Sequence, residues 1–169
     1  TVLHLVAGLN KVASIKSVLA LYPESERLHL VSMEDNEGWT VLHCAARSGN
    51  FEAIETILEL YPESERLQAL NRTTHLGETV LHLARSKVEV IKDLLSLYPE
   101  SQWRQVLDKQ DSLGRTALYD MNMNTRNSIM EWLSQSEKRS RNLVLKRSHH
   151  NIIETTEEDD VEQPEAKRQ

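Results

Sequence analysis

Serine, cysteine, histidine and aspartate are all present, and three histidines recur in one setting: Thr1-Val-Leu-His4, Thr40-Val-Leu-His43 and Thr79-Val-Leu-His82. A ladder of imidazoles suggests a metal. Stacked units of this kind lie about 10 Å apart, whereas ligand nitrogens sit about 2 Å from a zinc ion, so the three cannot share one ion. Cys44 is the only cysteine, and no Gly-x-Ser-x-Gly elbow, phosphate loop, His-Glu-x-x-His helix or paired-Cys pattern accompanies it. The adjacent His149 and His150 stand in a polar tail, where a solvated pair is the simpler reading than a weak metal site. The sequence therefore nominates no catalytic residue, metal site, cofactor or small-molecule substrate.

The elements that carry the histidines are repeats. A second block keeps step with the first, as Leu21-Tyr-Pro-Glu-Ser-Glu-Arg27, Leu60-Tyr-Pro-Glu-Ser-Glu-Arg66 and Leu97-Tyr-Pro-Glu-Ser-Gln102, with a period of 39 and then 37 residues. The shortening lies where Ala45-Ala-Arg-Ser-Gly-Asn-Phe51 becomes Leu83-Ala-Arg-Ser-Lys87, and it is expected between helices. Fixed-interval self-similarity means stacked supersecondary units, an architecture that points toward binding.

One copy, residues 38–76, reads as follows. Thr40 caps a short helix whose inward residues Val41, Leu42, Ala45 and Ala46 permit close stacking, and Gly49 ends it. A second helix from Phe51 puts Ala53, Ile54, Ile57, Leu58 and Tyr61 on one face and Glu52, Glu55 and Glu59 on the other. Pro62 cannot continue it but suits the first turn of a third helix, whose positive end favours Glu63 and Glu65. Its apolar side repeats, with Leu30, Ala69 and Val106 equivalent and likewise Val31, Leu70 and Leu107. Residues 71–76 form a polar, hairpin-like finger.

These residues resemble the ankyrin repeat. Gly38-Trp-Thr-Val-Leu-His-Cys-Ala-Ala-Arg-Ser-Gly49 matches the family's Gly-x-Thr-Pro-Leu-His-x-Ala-Ala-x-x-Gly, with Val41 in place of Pro. The period exceeds the usual 33 residues, the extra length lying in the Tyr-Pro-Glu-Ser segment. Length alone would also suit HEAT or armadillo repeats, which lack the Thr-x-Leu-His signature. The fold expected is an all-α ankyrin solenoid over residues 1–136, with an added short helix per repeat and copies at 1–37, 38–76, 77–113 and 114–136; the last loses its histidine at Tyr119. The resemblance implies that His43 and His82, with the capping residues Thr40 and Thr79, brace the turns. The long repeat form also looks like repeats in large proteins of intracellular bacteria, several of which are injected into host cells.

The resemblance further implies binding through finger tips and the inner faces of first helices. Those positions are Asn36, Glu37, Trp39, His75, Leu76, Glu78, Ser112, Leu113 and Arg115 on the fingers, and Arg47, Ser48, Arg85 and Ser86 on the helices. Trp39 stands out, because aromatic and Arg side chains carry a disproportionate share of interface energy; packing across the neighbouring finger is the competing reading.

Residues 137–169 differ in kind. Lys138, Arg139, Arg141, Lys146 and Arg147 form a basic cluster, then comes the acidic run from Glu154 to Glu165. Low hydrophobicity predicts disorder after about residue 150, while 126–145 is expected to be helical, with Ile129, Met130, Leu133 and Leu143 forming a cap. The glutamate-rich end resembles a type IV secretion signal, against which stands a solubilising tail; the basic cluster is open to reading as a nuclear import signal.

The formal charge of −6 gives no blanket reason to bind nucleic acid. No apolar run approaches the roughly 18 residues of a membrane span, and the start lacks the basic character of a secretory signal. With its single cysteine read as a small buried residue, the expectation is a soluble, cytoplasmic protein. Thr1 lies inside a repeat, which suggests a piece of a longer array. The function expected is protein–protein recognition without chemistry. Two alternatives stand beside it: a substrate-recognition or targeting part of a larger bacterial effector or enzyme, and an ankyrin regulator of a nuclear factor.

Overall fold

The computed structural model describes the backbone of residues 1–84 and 87–157 and the side chains of 1–84 and 87–143. Copy 1 holds α1 (Val2–Gly8), α2 (Val12–Ala20) and α3 (Glu24–Ser32). Copy 2 holds α4 (Val41–Ser48), α5 (Phe51–Leu58) and α6 (Glu63–Asn71). In copy 3, α7 (Val80–Leu83) and α8 (Val88–Ser96) precede a 3-10 turn at Glu100–Gln102 that runs into α9 (Trp103–Asp108). The final helix is α10 (Met123–Glu157). No strand occurs among the described residues, only a bridge between Gln110 and Thr116.

Local chemistry sets the helix limits. Thr40 accepts from the His43 amide while its own N–H bonds the His43 ring, a capping box in which His takes the place of Glu. Gly49 closes α4 at φ 67°, in the left-handed region. Asn50 then caps α5 by accepting the Ala53 amide at 3.1 Å. Pro62 is the residue before α6 rather than its first residue, and Glu63 and Glu65 occupy the first turn.

Packing follows the repeat. Helix α1 packs on α4 and α4 on α7, while α2 packs on α5 and α5 on α8, giving two helical layers in register. The predicted inward residues are buried: Val41, Leu42, Ala45 and Ala46 on α4, and Ala53, Ile54, Ile57 and Leu58 on α5. Tyr61, Ala69, Leu70, Val106 and Leu107 are buried too, whereas Leu30 is half-buried. Glu52, Glu55 and Glu59 face solvent as expected.

The Tyr-Pro-Glu-Ser block has a physical reason. Proline donates no hydrogen bond and the second helix ends here, so the Tyr carbonyl needs another donor. Arg27 Nε donates to the Tyr22 carbonyl at 3.1 Å and Arg66 Nε to that of Tyr61 at 3.3 Å. Trp103 supplies the indole N–H to the Tyr98 carbonyl at 3.0 Å from the same place in copy 3. Cations also close the ends of third helices from one copy ahead: Arg72 donates to the Ser32 carbonyl at 2.7 Å, and Lys109 to that of Asn71 at 3.3 Å.

Three expectations need correction. The shortening of copy 3 falls on the first helix and not on the connection, since α7 has 4 residues against 8 in α4 while the stretch between α7 and α8 is longer than that between α4 and α5. Lys87 at the start of α8 sends its ammonium to the Ser48 and Gly49 carbonyls, at 3.1 and 3.4 Å, closing α4 from the next copy. Copy 4 forms no first helix: without a histidine beside Thr116, residues 117–121 make turns, and Arg126 caps the Leu118 and Tyr119 carbonyls. Of the expected cap residues, Ile129 and Leu133 are buried while Met130 and Leu143 are exposed.

Two compact units divide the chain, 1–129 and 130–169. The second contains the remainder of α10, which extends beyond the expected 126–145 as far as Glu157. Of the segment expected to be disordered after about residue 150, residues 151–157 continue the helix, and 158–169 lie outside the described residues.

Candidate protein-binding surface

The fingers are turns built on one plan. Asp35 N–H donates to the Trp39 carbonyl, Thr74 to Glu78 and Asp111 to Arg115, each at 2.9 Å. Asp35 Oδ1 accepts the Glu37 and Trp39 amides, and Asp111 Oδ1 those of Leu113 and Arg115, all at 2.9 Å. Burial alone would raise the Asp111 carboxyl, but the Arg115 guanidinium and these amides bring it down to about 2. Consecutive fingers are joined through the backbone, His75 N–H to the Glu37 carbonyl at 2.9 Å and Ser112 N–H to that of Leu76 at 2.8 Å.

Histidines tie the first helices to these fingers. His43 Nδ1 accepts the Thr40 amide at 3.1 Å, which leaves Nε2 as the donor to the Arg72 carbonyl at 3.1 Å. His4 makes the matching bond from Nε2 to the Trp39 carbonyl at 2.8 Å. His82 accepts from Thr79 and reaches the Arg115 carbonyl in the same way. Burial pulls the pKa of His43 and His82 below 6.5, more than the carbonyl partners restore, so both favour the neutral ring. Among the described residues no group of three His, Cys, Asp or Glu side chains could hold a metal ion.

Trp39 lies half-buried at the base of the first finger. Its ring meets His43 edge-on, with centroids 6.3 Å apart, and Arg47 lies over it at 5.3 Å. Trp39 and Arg47 border two recesses. One, of about 670 Å³, adds Glu78, Leu83, Asp120 and Met121; the other, of about 520 Å³, adds Leu5, Asp35, Glu37, Cys44 and Ser48. Cys44 is half-buried rather than buried, and burial pushes its thiol up to about 11, so it stays protonated near neutral pH.

The residues named from the sequence fall into distinct settings. Glu37, Trp39, Arg47 and Ser48 come together around one recess, and Glu78 joins Trp39 and Arg47 at the other. Asn36, His75, Leu76, Ser112 and Leu113 are exposed on the finger tips. Arg115 is engaged internally, with Nη2 2.6 Å from Asp111 Oδ2 and 3.8 Å from the buried Glu78. Arg85 and Ser86 lie outside the described residues. Leu5 and Leu83, at the Cys44 position of their copies, and Asp120 and Met121 were not anticipated. The first two were legible from the repeat alignment, the last two only from the turn that copy 4 makes.

Residues 37–65 match the family model described as ankyrin repeat. The chain carries an ankyrin repeat. Around that segment the ankyrin plan recurs in copies 1 and 3, with a Thr–His brace and a turn closed by glycine, and the stack is all-helical. Ankyrin repeats generally mediate protein–protein interaction. No curated protein matches the chain. Among the described residues no helix is long and apolar enough to cross a membrane.

Proposed function

We propose that the chain is a non-catalytic recognition module that binds a partner protein across its fingers and first helices, with Trp39 and Arg47 at the centre. The observation that carries this reading is their mutual stacking at the border of both recesses. A Trp partly exposed beside an Arg is the kind of pair that concentrates interface energy. Leu76 and Leu113 add exposed apolar contacts at successive finger tips. Asn36, Glu37, Ser48, His75 and Ser112 form the surrounding rim.

The test is photo-crosslinking in cell lysate. A crosslinker at Leu76 is expected to capture a partner that one at Glu55, on the opposite face, does not. Trp39→Ala with Arg47→Ala, at unchanged helicity, should abolish that capture. Equal capture from both positions, or capture that survives the double variant, would remove this surface from the binding site.

A further inference from the structure

Consecutive third helices border recesses that no finger or first-helix residue lines. One, of about 260 Å³, lies between α3 and α6 and is lined by Ser32, Tyr61, Gln68, Ala69 and Arg72 among others. The next, of about 550 Å³, lies between α6 and α9. Its lining includes Asn71, Gln105, Val106 and Lys109, the equivalents one copy on of Ser32, Gln68, Ala69 and Arg72. The plan is therefore repeated. In each recess a buried apolar residue, Ala69 or Val106, follows an exposed carboxamide, Gln68 or Gln105. A cation closes one end by donating to the preceding helix, Arg72 to the Ser32 carbonyl at 2.7 Å and Lys109 to that of Asn71 at 3.3 Å.

Tyr61 marks the first recess as a site. It is 6% exposed, and its buried hydroxyl has no hydrogen-bond partner among the described residues. A phenylalanine would fill the same space without the cost of burying an unpaired hydroxyl. We propose that the two recesses bind an extended, polyproline-II-like peptide segment through its carbonyl groups, with Tyr61 and Gln68 donating in the first and Gln105 in the second. The repeat step selects this occupant. Stacked helices lie about 10 Å apart, and three residues of polyproline II advance about 9.3 Å, each third residue returning to the same face. A β-strand brings its same-face residues round every 6.6 Å or so, about two-thirds of that step. The carbonyls of an α-helix are bonded internally, whereas polyproline II makes no internal hydrogen bonds and leaves its carbonyls open to donors. This surface lies outside the proposed finger surface and does not depend on it.

The probe is acetyl-decaproline amide, which holds this conformation and offers only carbonyls. Titrated into the isotope-labelled full chain, it is expected to shift the side-chain amide signals of Gln68 and Gln105 together and saturably. Tyr61→Phe should weaken that binding about tenfold, the worth of one well-made hydrogen bond, without lowering the urea midpoint. Gln68→Glu with Gln105→Glu, which puts acceptors in place of donors at the same size, should abolish binding at unchanged helicity. Absence of saturable shifts, shifts confined to the finger amides, or undiminished binding by either variant would overturn the proposal. So would a lower urea midpoint for Tyr61→Phe without peptide, because the hydroxyl would then already be satisfied by water.

Discussion

His82 Nε2 donates to the Arg115 carbonyl at 3.1 Å across 33 residues, while the same ring accepts the Thr79 amide three residues away. One side chain thus closes the start of a helix and fastens the next finger to it. His4 does the same for the Trp39 carbonyl, and so holds in place the backbone from which the proposed binding Trp projects.

Because Nδ1 accepts, protonating it breaks the brace. Burial lowers the folded pKa of His43 and His82 below the ordinary 6.5, so the unfolded chain takes up protons first. Their stabilisation is complete above the unfolded value and is lost as pH falls below it toward the folded value. Melting temperature should fall between about pH 7.5 and 5.5, a window above the ordinary carboxylate range. A flat profile across that window would contradict this.

His43→Leu removes the imidazole ring from a site with no exposure. The Thr40 amide and the Arg72 carbonyl lose their hydrogen bonds, and the buried Thr40 amide left unpaired costs about 1 to 3 kcal/mol. Urea unfolding should register at least about 2 kcal/mol; a loss under about 0.5 kcal/mol, as at an ordinary surface site, would mean the brace is ornamental.

Gly77→Ala and Gly114→Ala separate two costs. Both glycines have positive φ, 76° and 73°, but an added Cβ at Gly77 would stand 3.0 Å from the Ser112 amide nitrogen, while at Gly114 nothing lies within 4 Å. Left-handed backbone alone costs about 1 to 2 kcal/mol for alanine. Gly77→Ala should exceed Gly114→Ala in chemical denaturation, the excess reporting the approach of one finger to the next. Equal losses would remove finger contact as a determinant.

Tyr61 carries a buried hydroxyl with no hydrogen-bond partner, and burial raises its pKa, keeping it neutral. Removing an unpaired buried hydroxyl relieves a desolvation cost of about 1 to 3 kcal/mol. Tyr61→Phe should therefore be neutral or stabilising by up to that amount in urea titration. A clear loss of stability would show that the hydroxyl is satisfied in solution.

Much of one repeat was legible because its determinants are local. The Thr40 cap, the stop at Gly49 and the apolar face of α5 depend on residues within a few positions of one another. The break in copy 4 was legible only as a missing histidine at Tyr119; that Ala117 and Leu118 would turn instead of coil depends on the absent brace. Arg66 and Trp103 share one position of the long block, yet only the folded chain brings a guanidinium and an indole to donate to equivalent carbonyls.

By itself, then, the sequence determined the repeat, its period, the helix caps and the inward face, since each follows from short-range backbone sterics and helical spacing. Tertiary structure decided the rest. Whether Arg115 is free or held by Asp111, how deeply Glu78 is buried, and which recesses Trp39 and Arg47 share all depend on how the chain brings its turns and stacked copies together. Spacing predicts which residues share a helix face, but the partner across a stack is chosen by packing, where burial and hydrogen-bond satisfaction are settled jointly.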